Sequence, residues 1–178
     1  MRIIAGSAKG IALLHPTWTG TRPMMDKVKE SLFSTVQAYL DNATVLDLYA
    51  GSGALGIEAL SRGAKESTFI DKSRKCTDLV EKNLKKTDLN DYASVHCTTD
   101  EYFLAQHPNN KYDIIFFCPP YDHFITELLE KCSTMLNDEG ILIAEHPNKR
   151  YKLPDELGKT VRWKQRKFGQ TILSFYTL

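Results

Sequence analysis

A rigid corner follows an apolar run in the second half of the chain. Residues 114–117 are Ile-Ile-Phe-Phe, the pattern of a buried strand, and Cys118, Pro119, Pro120 and Tyr121 follow them. Because neither proline can donate an N–H to a strand ladder, the chain must leave its sheet at Cys118. A side chain, a carbonyl fixed by proline and an aromatic ring then meet at one strand end. Ligands of an α/β sheet bind at the carboxyl ends of its strands, so these groups form one candidate site.

A glycine-rich loop is the second candidate site. Gly51, Gly53 and Gly56 match the spacing G-x-G-x-x-G, after the strand-like run 44–50 and before a helical pattern. Such a loop lets the backbone approach a ligand closely and directs a helix N-terminus at it. Asp71 ends the next predicted strand, where a carboxylate can accept both hydroxyls of a ribose. The pattern predicts a site for a cofactor that contains adenosine.

Two further aspartates bear on which cofactor this is. Asp47 lies within the strand that precedes the loop, and burying it is costly unless it is paired, so we expect it to face the ligand. Its charge suits the sulfonium and amino group of S-adenosyl-L-methionine and would repel a pyrophosphate. Asp100, at the end of the third predicted strand, can accept from an adenine amino group or act as the N-cap of the next helix. These acids favour S-adenosyl-L-methionine, and an NAD-dependent oxidoreductase is the alternative.

The elements that must position these residues alternate along the chain. We predict strands at 44–50, 67–71, 93–97, 112–117, 140–146, 161–169 and 170–178, and helices at 25–40, 53–63, 76–87, 100–106 and 125–136. This order predicts an α/β, Rossmann-like fold with a mostly parallel seven-stranded sheet and ligands at the carboxyl ends of its strands. The tight turn at Gly169 predicts an antiparallel edge strand. Asp26 is the predicted N-cap of the first helix, and residues 2–14 are predicted to form a hairpin.

Length and composition suggest one domain. The 178 residues suit a single domain, 1–178, with a small N-terminal β-hairpin and helix extension over 1–25 and a core over 26–178. No run approaches a membrane span, and the N-terminus lacks the apolar core of a signal peptide. The four cysteines form no C-x-x-C pair, which indicates reduced thiols rather than a zinc or disulfide framework. We expect a cytoplasmic monomer without a metal.

Basic residues concentrate at the two ends of the chain. The net charge is +1, but residues 1–30 carry five basic and two acidic side chains, and residues 149–167 carry eight and two. If the fold joins these ends, they form a patch for a polyanion such as nucleic acid. Lys164, Arg166 and Lys167 are the candidates in the second segment, and a merely solvated edge is the alternative.

Several motifs together resemble the RsmD-type methyltransferases, and the resemblance runs over nearly the whole chain. They are "MRIIAGSAKG" (1–10), "TRPMMDKVKESLF" (21–33), "VLDLYAGSGALGIEALSRGA" (45–64), the Pro-Pro-Tyr corner and "FGQTILSFY" (168–176). Enzymes of this family use S-adenosyl-L-methionine to methylate the exocyclic N2 of a guanine in small-subunit (16S) ribosomal RNA. The resemblance implies the same activity here, with ribosomal RNA as partner, within a small-subunit particle.

The resemblance also implies a role for each matching position. The methionine end of the cofactor would be lined by Asp47, Gly51, Ser52 and Gly53. Asp71 would hold the ribose and Asp100 the adenine amino group. The corner at 118–121 would hold the target base, and Arg22 with the N-terminal hairpin would dock the RNA.

Two positions depart from the family pattern. Met24 stands where the family usually has threonine, and Cys118 stands where it has Asp, or Asn in related enzymes. A thiol is a weak hydrogen-bond acceptor and is mostly protonated at neutral pH. Activity could then rest on the Pro119 carbonyl or on Asp122. The alternative is a catalytically impaired homologue that binds cofactor and RNA without turnover.

Overall fold

The computed structural model describes residues 1–16, 24–120, 126–148 and 151–178. Within these ranges five α-helices alternate with eight strands. The elements are α1 (Asp26–Val36), β1 (Thr44–Leu48), α2 (Ala54–Ser61), β2 (Glu66–Asp71), α3 (Arg74–Thr87), β3 (Ala93–Cys97), α4 (Asp100–Gln106), β4 (Tyr112–Phe117), α5 (Thr126–Thr134), β5 (Leu136–Pro147), β6 (Glu156–Leu157), β7 (Thr160–Phe168) and β8 (Thr171–Thr177).

All eight strands form one sheet in the order β3-β2-β1-β4-β5-β8-β7-β6. The first five strands of this order are parallel to one another, and β8, β7 and β6 each run antiparallel to the neighbour before them. The predicted mostly parallel sheet with an antiparallel edge is therefore confirmed. The sheet has one strand more than predicted, because β6 is only two residues long and carries too little pattern to recognise.

The fifth predicted helix was too long at its C-terminal end. It was expected to reach residue 136, but α5 ends at Thr134 and β5 begins at Leu136. Leu136 pairs with Tyr112, and the register then shifts before Ile114 pairs with Ile141. The apolar residues at 135–136 extended the helical pattern, whereas pairing with β4 decides the conformation.

The strands place one core on each face of the sheet. Phe116 packs with α1, α2 and α3, and its ring lies 5.8 Å from that of Phe33. Phe117, the next residue, faces the opposite core beside α4 and α5. Because both faces are covered, β4 is apolar from Ile114 to Phe117, as a buried parallel strand should be. The side that carries α1, α2 and α3 is called the α1 face below.

The N-terminal residues form a closed loop that lies on the α1 face. Arg2 and Ala12 form an antiparallel bridge, and the Ile3 N–H donates to the Ile11 carbonyl at 3.0 Å. Gly6 has a φ of +85°, and a Cβ there would lie 1.6 Å from the Ser61 carbonyl oxygen. The predicted hairpin is therefore a tight loop against α2, and glycine permits the contact.

A buried carboxylate joins this loop to the rest of the protein. Glu58 of α2 is fully buried and accepts from the backbone N–H groups of Ile4 and Ala5 at 2.8 and 3.0 Å. It also pairs with the buried Lys29 at 3.0 Å and with Arg62 at 2.8 Å. One side chain thus fixes the N-terminal loop, α1 and α2 relative to one another. The sequence analysis did not identify it.

Two helix caps lie one residue before the predicted position. Met25 is the N-cap of α1, and Asp26 lies in the first turn, where a carboxylate is favoured by the helix dipole. Thr99 is the N-cap of α4, and its hydroxyl accepts from the Tyr102 N–H at 3.2 Å. Asp26 and Asp100 are therefore not the caps that the sequence predicted.

Among the described residues, no helix is long and apolar enough to cross a membrane. The same part of the chain contains no group of three or more His, Cys, Asp or Glu side chains that could hold a metal ion.

Candidate active site at the carboxyl ends of the central strands

The loop between β1 and α2 has the left-handed conformation that its glycines allow. The φ angles are +58° at Gly51 and +76° at Gly53, and Gly53 is the N-cap of α2. Ser52 between them is buried, and its carbonyl accepts from the Asn83 side chain of α3 at 2.9 Å. The backbone of this loop therefore opens onto the N-terminus of α2, as the spacing predicted.

The third glycine of the motif serves helix packing. A Cβ at Gly56 would lie 2.3 Å from the Phe69 ring and 2.6 Å from the Ser67 hydroxyl on β2. Glycine therefore lets α2 approach the sheet closely.

Asp71 joins the glycine loop to the start of α3 through its two carboxylate oxygens. One accepts from the Gly51 N–H at 2.9 Å and the other from the Ser73 N–H at 2.9 Å. Each carboxylate oxygen still has a second lone pair that can accept from a ligand hydroxyl. Asp71 can therefore position the loop and bind a ribose at once, and its contact with the ribose stays a prediction.

Asp47 lies under the first turn of α2. It is 2% exposed and accepts from the Gly56 N–H at 2.9 Å. Burial raises the pKa of Asp47 to about 7, the Gly56 hydrogen bond opposes the shift, and the Asp71 charge adds to it. The expectation that Asp47 faces a ligand directly does not fit this burial. A cation bound at the loop would instead interact with the Asp47 charge through the first turn of α2. This interaction would favour the ionised form of Asp47.

Asp100 meets the glycine loop through Tyr49. The Tyr49 hydroxyl donates to the Asp100 carboxylate, and its ring packs edge-on against Phe117 at 5.4 Å. Burial, followed by this hydrogen bond, raises the pKa of Tyr49 well above its ordinary value. These contacts hold Tyr49 at a φ of +63°, an uncommon value for a tyrosine. Asp100 is thereby brought beside the loop, as its predicted contact with adenine requires.

The proline corner follows β4 as predicted. Cys118 is half-buried, Pro119 is buried and Pro120 is exposed. Burial raises the pKa of the Cys118 thiol well above its usual range, and the charges of Glu145 and Asp47 add to the effect. The thiol is therefore protonated at neutral pH, which makes it a poor acceptor. Tyr121, Asp122 and Arg22 lie outside the described residues, so their roles stay predictions.

Glu145 is a candidate that the sequence analysis missed. Phe117 pairs with Ala144 in the parallel ladder of β4 and β5, so the next residues, Cys118 and Glu145, are level at the carboxyl ends of their strands. Glu145 is half-buried. In the sequence it stands in the run "GILIAEH", where an acid after five mostly apolar residues was the available signal.

The basic residues predicted as one RNA-binding group divide between the two faces of β7. Lys164 and Arg166 pair with Phe175 and Leu173, whose side chains lie in the core of the α1 face. Lys167 is next along the strand and points to the other face. The Arg166 guanidinium also donates to the Ser31 hydroxyl of α1 at 3.0 Å.

An exposed tryptophan accompanies these residues. Trp163 is 52% exposed, and the Lys164 ammonium lies 5.1 Å from its ring centroid. The sequence analysis did not single out this side chain.

Comparison with known proteins gives a consistent set of relatives. Residues 1–177 match the family model described as "Conserved hypothetical protein 95". The chain is 38% identical to YlbH of Bacillus subtilis (strain 168), provisionally named as an rRNA methyltransferase, over 99% of this chain and 98% of that protein. It is also 38% identical to "Ribosomal RNA small subunit methyltransferase D" of Escherichia coli (strain K12), over 82% of this chain and 71% of that protein.

A solved structure agrees with these relatives. It is that of yhhF from Escherichia coli, provisionally named as a methyltransferase, and it superimposes with a TM-score of 0.87 at 32% identity. The match covers 99% of this chain and 96% of the other.

Proposed function

Because the chain belongs to the Conserved hypothetical protein 95 family, that of the RsmD-type methyltransferases, we propose that it methylates the exocyclic N2 of a guanine in small-subunit ribosomal RNA. S-adenosyl-L-methionine is the methyl donor. The chain acts as a monomer on RNA within a small-subunit particle. One observation carries this proposal. At the carboxyl ends of the strands, the structure brings together the glycine loop, Asp71, Asp100 and the proline corner.

The acidic residues around the glycine loop fit S-adenosyl-L-methionine. Asp71 and Asp100 are half-buried acceptors, and Asp47 adds a third acid beneath the loop. Three acids suit a cofactor with a cationic end and disfavour the pyrophosphate of NAD. Asp71 would hold the ribose hydroxyls and Asp100 the adenine amino group, while Gly51, Ser52 and Gly53 would line the methionine end. When bound, the cofactor supplies an electrophilic methyl group.

The corner would orient the target amine. The nitrogen lone pair of an exocyclic amine is delocalised into its ring, so an acceptor on its N–H groups helps it to become a nucleophile. Pro119 is buried, its own ring fixes φ and the following Pro120 restricts its ψ, which together hold its carbonyl near one direction. Tyr121 would stack on the base after the base has left its own stack.

A methylation assay tests this function. Unmodified small-subunit particles and naked ribosomal RNA are incubated with labelled S-adenosyl-L-methionine, and the modified base is mapped. We expect one methyl group on a guanine N2, with particles the better substrate. If S-adenosylhomocysteine binds but no RNA is methylated, the impaired RNA-binding homologue is the better description. A rise in the thermal midpoint with NAD, and none with S-adenosylhomocysteine, would favour the oxidoreductase.

The α1 face is the side on which we expect the RNA to dock. The N-terminal loop, Lys164, Arg166 and Cys118 all lie on it. We expect Lys164→Glu to weaken RNA binding and to reduce the slope of log K against log salt concentration by about 1, because one phosphate contact is lost. Affinity for S-adenosylhomocysteine should not change. Filter binding across a salt series measures the first quantity, and calorimetry measures the second.

Two matched reversals test whether the effect depends on the face. Lys167→Glu lies on the opposite face of β7, so its effect on RNA affinity should be smaller. Lys65→Glu makes the same charge change at the amino-terminal edge of β2 and should have little effect. Equal losses for Lys164 and Lys65 would show a general charge effect instead of a docking surface.

A further inference from the structure

We propose that Glu145, at the carboxyl end of β5, supplies the carboxylate that accepts the proton of the target amine, in place of the acid that position 118 lacks. This inference rests on the proposed function and adds a catalytic residue to it. It follows from where the sheet places Glu145 relative to Cys118.

The strand register sets Glu145 beside the corner. Parallel pairing joins Phe117 to Ala144, which makes Cys118 and Glu145 neighbours across adjacent strands. Neighbouring strands lie about 5 Å apart, so the two side chains start within reach of the same ligand atom. Both residues are half-buried at the edge of the sheet where the glycine loop also lies.

Both side chains point to the α1 face. Ile141 and Ile143 of β5 lie in the core of that face, and strand alternation places Glu145 with them. Leu173, which pairs with Glu145 from β8, belongs to the same core. Cys118 packs against this core as well. Glu145 therefore shares a face with the corner and with the N-terminal loop.

The pKa of Cys118 is also sensitive to the Glu145 charge, in agreement with their neighbouring positions. After burial, the Glu145 charge contributes most to raising the pKa of the Cys118 thiol. The Glu145 backbone N–H donates to the Cys118 sulfur and partly opposes that shift. This agrees with the strand register, which places the Glu145 carboxylate next to a group bound at position 118.

A protonated thiol suits a neighbouring carboxylate. An aspartate at 118 would place a second negative charge next to Glu145, with Asp47 also close, and like charges in one site resist joint ionisation. A neutral thiol adds no such charge. Cysteine at 118 is therefore compatible with a carboxylate acceptor on β5.

The proposed step transfers one methyl group to the amine and one proton to Glu145. The amine nitrogen forms a bond to the methyl carbon, and the carbon–sulfur bond breaks with its electron pair remaining on sulfur. The positive charge passes from sulfur to nitrogen. The nitrogen then loses one N–H proton to the Glu145 carboxylate, which releases it to water.

The principal test is single-turnover methylation by Glu145→Gln. This change keeps the side-chain shape and removes the base, so the rate should fall about 100-fold or more, the usual range for a lost general base. The thermal midpoint and the affinity for S-adenosylhomocysteine should stay at the parent values. Glu139→Gln is the matched control, because Glu139 is an exposed residue of the same strand at its other end, and its rate should not change.

A rescue variant separates catalysis from structure. The double variant Cys118→Asp/Glu145→Gln should be at least tenfold faster than Glu145→Gln, because the carboxylate then extends from the neighbouring strand, β4. A rate for Glu145→Gln within threefold of that of an active parent would overturn the role of Glu145 and leave the proposed function intact. So would a double variant without rescue. A parent that binds S-adenosylhomocysteine but methylates no RNA would overturn both this inference and the proposed function.

Discussion

Glu58→Ala is expected to lower the free energy of unfolding by about 3–5 kcal/mol, since it leaves the buried Lys29 ammonium without its carboxylate. The same change removes the acceptor of the Ile4 and Ala5 N–H groups. Urea denaturation followed by circular dichroism measures the loss. Hydrogen exchange should show that residues 1–16 lose protection first, because Glu58 accepts from two of their N–H groups and pairs with Lys29, which donates to the Arg2 carbonyl.

Two comparison variants make this prediction specific. Lys29→Met should cost less than Glu58→Ala, because Glu58 keeps Arg62 and two backbone donors. Asp78→Ala removes an exposed pair with Arg74 and should cost less than about 1 kcal/mol. A Glu58→Ala protein as stable as Asp78→Ala would show that the N-terminal loop is held by its apolar contacts instead.

Asp71→Ala should weaken binding of S-adenosyl-L-methionine by about 1.5–3 kcal/mol, which is roughly 10- to 150-fold in Kd. The charged acceptor for the ribose is lost, and the Gly51 and Ser73 N–H groups lose the carboxylate that holds the loop in place. Isothermal titration calorimetry with S-adenosylhomocysteine measures the change.

The control variants for Asp71 are chosen from the same region. Asp71→Asn keeps one acceptor oxygen, so its affinity should lie between those of the parent and Asp71→Ala. Asp78→Ala removes an exposed acid from the neighbouring helix and should leave affinity unchanged. Unchanged affinity in Asp71→Ala, or tight NAD binding by the parent, would contradict the cofactor assignment.

Features with a local steric cause could be predicted from the sequence. Gly51 and Gly53 adopt positive φ angles in a loop between a strand and a helix, because glycine has no Cβ to forbid them. The prolines end β4 at Phe117, because they cannot continue its ladder. The alternation of strand and helix patterns likewise predicted the parallel sheet, because a helix must cross over between parallel neighbouring strands.

One-residue shifts were beyond the reach of such patterns. Thr99 and Asp100 are both good N-cap residues, and the choice between them depends on where the first turn of α4 packs. The register shift in β7 between Arg162 and Lys164 similarly decides which basic side chains share a face. A charge count along the chain contains no information on that shift.

The sequence by itself determined the glycine loop, the proline corner and the family to which they point, because each depends on residues close together in the chain. Only the tertiary structure decided which distant groups meet. The partners of Glu58 in the N-terminal loop are 53 and 54 residues away, and Glu145 reaches Cys118 through strand pairing. Burial then sets their chemistry, because a charge removed from water must be satisfied by whatever the fold places beside it.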